Sequence, residues 1–206
     1  LQSATGYLDS MYSAVREVLT NTKPEEIAGI GVAFTSCTVL PVRKDGTPLH
    51  VLDEYKRNPH AWVKLWKHHG AEPEASKLLE VAKARNEAFL QYTNQNISCE
   101  WMLPKCFEIL NSAPDIYREA DYIVDAGDWI VNQITETWTR STCSAGYKGS
   151  WSAELGFVSK EYLKQVDSRL ENLATKWIQN MVAPGTQAGV VGRRFFQKTG
   201  IPEGTP

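Results

Sequence analysis

The chain has 206 residues, with 22 Lys and Arg against 24 Asp and Glu, and 42% of it is hydrophobic. That length fits one domain, or one with an attachment, and the apolar fraction is enough for a core, which excludes a disordered chain. A net charge of −2 gives no electrostatic reason to expect nucleic acid or an anionic membrane as partner, and no apolar run approaches the roughly 20 residues that cross a bilayer.

The chain opens at Leu1-Gln2-Ser3, with neither an initiator Met nor a basic-then-apolar leader, and closes at Gly204-Thr205-Pro206. It therefore reads as a piece of a longer protein. Leu8, Met11, Val15, Val18 and Leu19 recur at helical spacing and predict an amphipathic helix over residues 4–21. Ile27 to Phe34 is a short, almost wholly apolar run, the pattern of a strand buried on both faces. Val39 to Val42, the Asp45-Gly46 turn signal and Thr47 to Leu52 predict a hairpin.

Pro59 suits the first turn of a helix running to His69, and Pro73 that of a helix reaching Phe89. Trp101 to Leu110 reads as helical, with Pro104 near its start. A short helix from Pro114, a strand at Tyr122 to Val124 and a helix through Trp129 to Ile134 follow. Residues 141–151 read as β-like or irregular. Ser159 is a suitable N-cap, and a last helix is expected from Val190 to Lys198, closed by Gly200 and Pro202. Strands mixed with longer helices make this an α/β chain.

Cys37, Cys99, Cys106 and Cys143 show no C-x-x-C spacing, which argues against a zinc site or a redox motif and fits buried or site-lining thiols in the cytoplasm. Gly29-Ile30-Gly31 lacks the third glycine of a dinucleotide loop, since Phe34 stands there. Arg193-Arg194 follows Gly185, Gly189 and Gly192 where a phosphate loop needs Lys then Ser or Thr. His60 and His68 could share a helix face, yet no third metal ligand stands near them. Trp62 and Trp66, four residues apart, read as packing residues.

Two segments have chemical promise. In Phe34-Thr35-Ser36-Cys37-Thr38 an expected strand ends in small polar residues, where a polyhydroxylated ligand could approach the backbone and find donors and acceptors. An ordinary turn satisfying its own backbone explains the same residues. Thr142 to Lys148 adds a cation between Gly146 and Gly149, able to hydrogen-bond a ligand hydroxyl or carbonyl, or simply solvated. Asp128, near a helix start, reads as a carboxylate serving exposed N–H groups.

These segments also carry a resemblance. Residues 29–38, Asn58-Pro59-His60-Ala61-Trp62-Val63-Lys64-Leu65-Trp66-Lys67-His68-His69, Ser98-Cys99-Glu100-Trp101, Asp128 to Val131, Cys143-Ser144-Ala145-Gly146-Tyr147-Lys148 and Trp151 resemble the FGGY family of carbohydrate kinases, in the same order. The resemblance implies an actin/hexokinase-like (ribonuclease H-like) α/β fold with inserted helices. It also implies transfer of the γ-phosphoryl group of ATP, with Mg, to the 5-hydroxyl of L-ribulose in arabinose breakdown.

It further implies that residues 1–206 are a partial N-terminal sugar-binding domain, inactive alone, without the first phosphate-binding hairpin or the C-terminal ATP-binding domain. Ser36 and Lys148 are then expected to contact the sugar, beside Thr35 and Cys37, with Glu100, Trp101 and His68 lining the cleft. The partner is a small sugar, not nucleic acid or membrane, and self-assembly into a homo-oligomer is left open. Three departures put the sugar itself in question: Ala33 where the family pattern has Asp, Ser36 where Ala is common, and Gly149-Ser150 in place of a bulkier pair. Another pentulose or pentitol kinase, or a non-catalytic sugar-binding module, are the alternatives.

Overall fold

The structure, a computed structural model, describes residues 1–148 and 151–206. Helix α1 (Ala4–Val18) is capped by Ser3, whose hydroxyl accepts the Gly6 N–H at 3.3 Å. Strand β1 (Val39–Val42) pairs antiparallel with β2 (Tyr122–Asp125), Val39 opposite Asp125 and Val42 opposite Tyr122. Between these strands lie α2 (Glu72–Ala84), α3 (Met102–Ser112) and α4 (Pro114–Glu119). After β2 come α5 (Ala126–Thr135), β3 (Arg140–Ser141), α6 (Thr142–Lys148), β4 (Trp151–Ser152) and β5 (Gly156–Phe157). The chain ends through α7 (Lys160–Val166), β6 (Met181–Val182) and α8 (Arg193–Thr199).

The β1–β2 ribbon lies between two packed layers, and its alternation shows why both faces are apolar. Val39 and Ile123 point into a core built mainly from α2, α3, α4 and α7, around Leu78, Phe107 and Tyr162. Leu40, Val42 and Val124 point the other way, into a core with Trp129 of α5 and Phe195 of α8. Helix α1 lays Leu8, Met11 and Val15 against this second core. Trp129 is fully buried and donates its indole N–H to the Gly46 carbonyl at 2.8 Å, which ties the turn after β1 to α5.

Several expectations need correction. The run from Ile27 to Phe34 is not a strand: it is extended, largely solvent-facing, and Ile30 donates its N–H to Pro206 O at 2.9 Å. A strand buried on both faces needs neighbours along both edges, and among the described residues no strand pairs with it. The Asp45-Gly46 turn forms, with Gly46 at φ 89° and Arg43 N–H on Thr47 O at 2.8 Å. The expected return strand is instead a 3-10 turn at Leu49–Val51, and β1 pairs with β2.

The helix expected from Pro59 to His69 is reduced to one 3-10 turn, Pro59–Ala61. Val63 and Lys64 are drawn into antiparallel bridges with Gln2 and Val39, which holds this segment extended. Trp62 and Trp66 therefore share no helix face: Trp62 packs against His50 with ring centroids 4.7 Å apart, and Trp66 is exposed. Residues 142–148, expected to be irregular, form α6; Gly149 and Ser150 lie outside the described residues. Among the described residues no helix is long and apolar enough to cross a membrane.

Candidate functional site

The loop Thr35–Thr38 enters β1, but the chain end that shapes it belongs to β2. Because the strands are antiparallel, the carboxyl end of β2 lies beside the amino end of β1, and Thr38 O accepts the Ala126 N–H at 2.7 Å. The loop thus occupies the place outside a strand's carboxyl end where α/β folds bind ligands. It is the carboxyl end of β2, however, and not of the expected strand at 27–34.

Cys37 is the pivot of the loop. Its φ is 62°, a left-handed conformation that costs a non-glycine residue about 1 kcal/mol or more. Three contacts hold it there. Its N–H donates to Asp125 Oδ2 at 3.0 Å, its carbonyl accepts from Lys105 Nζ at 2.6 Å, and its thiol lies 3.5 Å from the Lys148 carbonyl oxygen. Burial pushes the Cys37 thiol up to about 12, with the nearby Asp125 charge adding to the effect. The side chain is therefore a packed thiol, not a nucleophile.

Ser36, half-buried, is the residue before this pivot, and Thr35 is exposed with its hydroxyl 3.0 Å from that of Thr38. Lys148 ends α6; its ammonium lies 4.0 Å from Glu100 Oε2 and over the Tyr147 ring. Glu100 Oε1 in turn meets His69 Nε2 at 2.9 Å. A cavity of about 210 Å³ opens beside Lys148, walled by Phe89, Tyr92, Trp101, Tyr147 and Trp151. Ser36 and Cys37 do not line that cavity; they approach Lys148 from the side of its main chain.

The structure thus docks Cys37 on the Lys148 main chain and sets Glu100 and Trp101 by the Lys148 side chain, while Thr35 and Ser36 adjoin Cys37 in the loop without lining that cavity. His68 is elsewhere: its Nε2 meets both oxygens of Glu108 at 2.8–2.9 Å, in a separate cavity shared with His60 and Lys64. Lys64, 2% exposed, pairs with Glu108 at 3.2 Å. Asp128 does not serve its own helix end; it accepts the Ser141 N–H at 3.0 Å and so anchors the start of α6. Burial pushes Asp128 up to about 6 and Asp125 up to about 7, the latter with the Asp128 charge adding to it.

Two important residues escaped sequence reasoning. Lys105 is fully buried within Met102–Leu110, a stretch whose every residue is buried, and nothing in the residue order marks the peptide oxygens it meets. Asp125 looked like the end of a strand, and only the backbone of Cys37 reveals its task. As a whole the arrangement is suited to binding: loop hydroxyls that donate and accept, and a cation at the mouth of an aromatic cavity. Among the described residues no group of three or more His, Cys, Asp or Glu is placed to hold a metal ion.

Known proteins share this fold. A xylulose kinase from Brucella ovis superposes with a TM-score of 0.71 over 93% of this chain, at 15% identity, covering 36% of that protein. A gluconate kinase from Lactobacillus acidophilus gives 0.70 over 99% of this chain, at 13% identity, covering 38% of its own length. The fold is therefore that of a sugar kinase of the actin/hexokinase-like type.

No family profile matches the chain. Curated sequences do. It is 42% identical over 208 aligned positions to a ribulokinase of Geobacillus thermodenitrificans, all of this chain against 37% of that protein. It is 40% identical to a ribulokinase of Staphylococcus aureus, again over the whole chain and 38% of the relative. By sequence the chain is similar to these ribulokinases over its whole length, and it spans about 37% of the length of those relatives.

Proposed function

We propose that the protein containing this chain is an ATP-dependent kinase that phosphorylates the 5-hydroxyl of L-ribulose in arabinose breakdown, and that this chain supplies its sugar-binding half. The observation that carries the reading is the convergence of the Cys37 and Lys148 segments at 3.5 Å, in a chain about 40% identical to ribulokinases. Ser36 offers a hydroxyl to the sugar and Lys148 a charged donor, with Thr35 and Cys37 completing the loop. Glu100 steadies the Lys148 ammonium, and Trp101 walls the adjoining cavity.

Phosphoryl transfer depends on positioning the acceptor and neutralising phosphate charge with Mg and donors. The glycine runs of this chain lack the phosphate-loop pattern, and no step through MgATP is assigned to them. This chain's share is to bind and orient the sugar. ATP and Mg fall to the remainder of a cytoplasmic enzyme, and residues 1–206 alone are inactive. The full-length protein, given L-ribulose and MgATP, should release ADP. Absence of turnover on every pentulose and pentitol would sink the reading. Ala33, standing where the family pattern has Asp, favours a second reading in which the preferred sugar is another pentulose, and kcat/KM ratios across ribulose, xylulose and ribitol decide between them.

A further inference from the structure

We propose that Lys105 is a positioning residue for the sugar loop: its buried ammonium ties the Cys37 backbone to the 65–66 backbone and so fixes where Ser36 presents its hydroxyl. This rests on the reading above that Ser36 and Lys148 hold the sugar. Lys105 Nζ lies 2.6 Å from Cys37 O, 2.7 Å from Leu65 O and 3.1 Å from Trp66 O. An ammonium has three N–H donors and here meets three acceptors; a neutral amine would have only two. The geometry therefore calls for the charged form, although the residue is 0% exposed.

Burying an ammonium costs several kcal/mol, and here no carboxylate among the described residues stands within 4.0 Å to offset it. An expensive charge of this kind is worth retaining where it fixes a geometry. Cys37 is held in its left-handed conformation by opposite charges at its two ends: the Asp125 carboxylate on its N–H and the Lys105 ammonium on its carbonyl. Leu65 and Trp66 belong to the Asn58–His69 segment, which also reaches the site through His69 on Glu100 at 2.9 Å. Lys105 adds a main-chain link from that segment to the sugar loop.

The groups that face this ammonium are Asp125 from β2, Cys37 from the loop, Glu100 ahead of α3, and Lys148 from α6. Burial lowers Lys105 to about 8, which the negative charges of Asp125 and Glu100 partly oppose.

The test is Lys105→Met in the full-length kinase, with circular dichroism and thermal melting to check the fold. The KM for L-ribulose should rise about tenfold or more while the KM for ATP stays within about twofold. An unchanged sugar KM in a folded variant overturns the proposal, as does an equal rise in both constants. If the variant does not fold, amide hydrogen exchange of the wild type, corrected for intrinsic rates, decides. The Cys37 amide should be protected to within about tenfold of Val124 in β2, and exchange of Cys37 as fast as that of the exposed Thr35 overturns the proposal. Wild-type protein without turnover on any pentulose or pentitol would sink the functional reading alone, leaving hydrogen exchange to judge the clamp.

Discussion

The thiol of Cys37 sits 3.5 Å from the main-chain oxygen of Lys148, so the end of helix α6 is docked directly on the loop that carries Ser36. Two segments far apart in the chain thereby form one edge of a binding site. The contact is made by backbone on the Lys148 side, which leaves its ammonium free to reach Glu100 and the adjoining cavity.

Removing that ammonium should weaken sugar binding without unfolding the domain. Lys148→Met in the full-length enzyme loses one charged hydrogen bond, worth about 1.5–3 kcal/mol, or roughly 10- to 150-fold in kcat/KM for the sugar. Steady-state kinetics and a thermal melt check it together. A variant with normal kcat/KM would place the sugar elsewhere.

The Lys64–Glu108–His68 group should matter to stability. Glu108→Ala leaves Lys64, 2% exposed, without its carboxylate and should cost about 3–5 kcal/mol in urea unfolding. Replacing both, Lys64→Met with Glu108→Leu, should recover most of that loss. Burial pushes the Glu108 carboxyl up, but the His68 hydrogen bond and the Lys64 charge outweigh it and leave the group below its usual 4.5. Its contribution is therefore present above that value and fades as pH falls through the depressed one.

Asp128 predicts the opposite slope. Burial raises it to about 6, against which the Ser141 N–H and the Arg140 charge act only in part. The folded state keeps a proton that the unfolded chain releases, so this group's contribution declines as pH rises from about 3.8 to about 6. Asp128→Asn, which retains a carbonyl for Ser141, should flatten the decline in urea midpoint across that window. An unchanged pH slope would show that Asp128 ionises normally.

Thiol labelling reads the packing of the loop. Cys37, Cys99 and Cys106 are buried and Cys143 is exposed. Peptide mapping after brief alkylation of native protein should find Cys143 modified first and the other three only on unfolding. Rapid modification of Cys37 would mean that the clamp on the sugar loop opens readily.

Much of this was readable from residue order. Amphipathic spacing and proline and glycine punctuation disclosed α1, α2, α3, α5 and the stop at Gly200, and the short apolar runs Val39 to Val42 and Tyr122 to Val124 disclosed β1 and β2. Ile27 to Phe34 misled because an apolar run signals a strand only when partners exist to pair with it, and among the described residues none do. Residues 59–69 misled because bridges from Val63 to Gln2 and from Lys64 to Val39 of β1 override the helix start signalled by Pro59. Helix α6 was hidden by Thr, Ser, Cys and Gly, all poor helix formers, and is held by contacts such as Asp128 on Ser141. Ser36 and Lys148 were legible as chemistry; Lys105 was not, since its acceptors are peptide oxygens that every residue possesses.

That last property shapes how the site can evolve. A lysine that grips only peptide oxygens is indifferent to the side chains at positions 65 and 66, so those can drift while the anchorage persists. Selection there bears on one amino group and on the backbone path it holds.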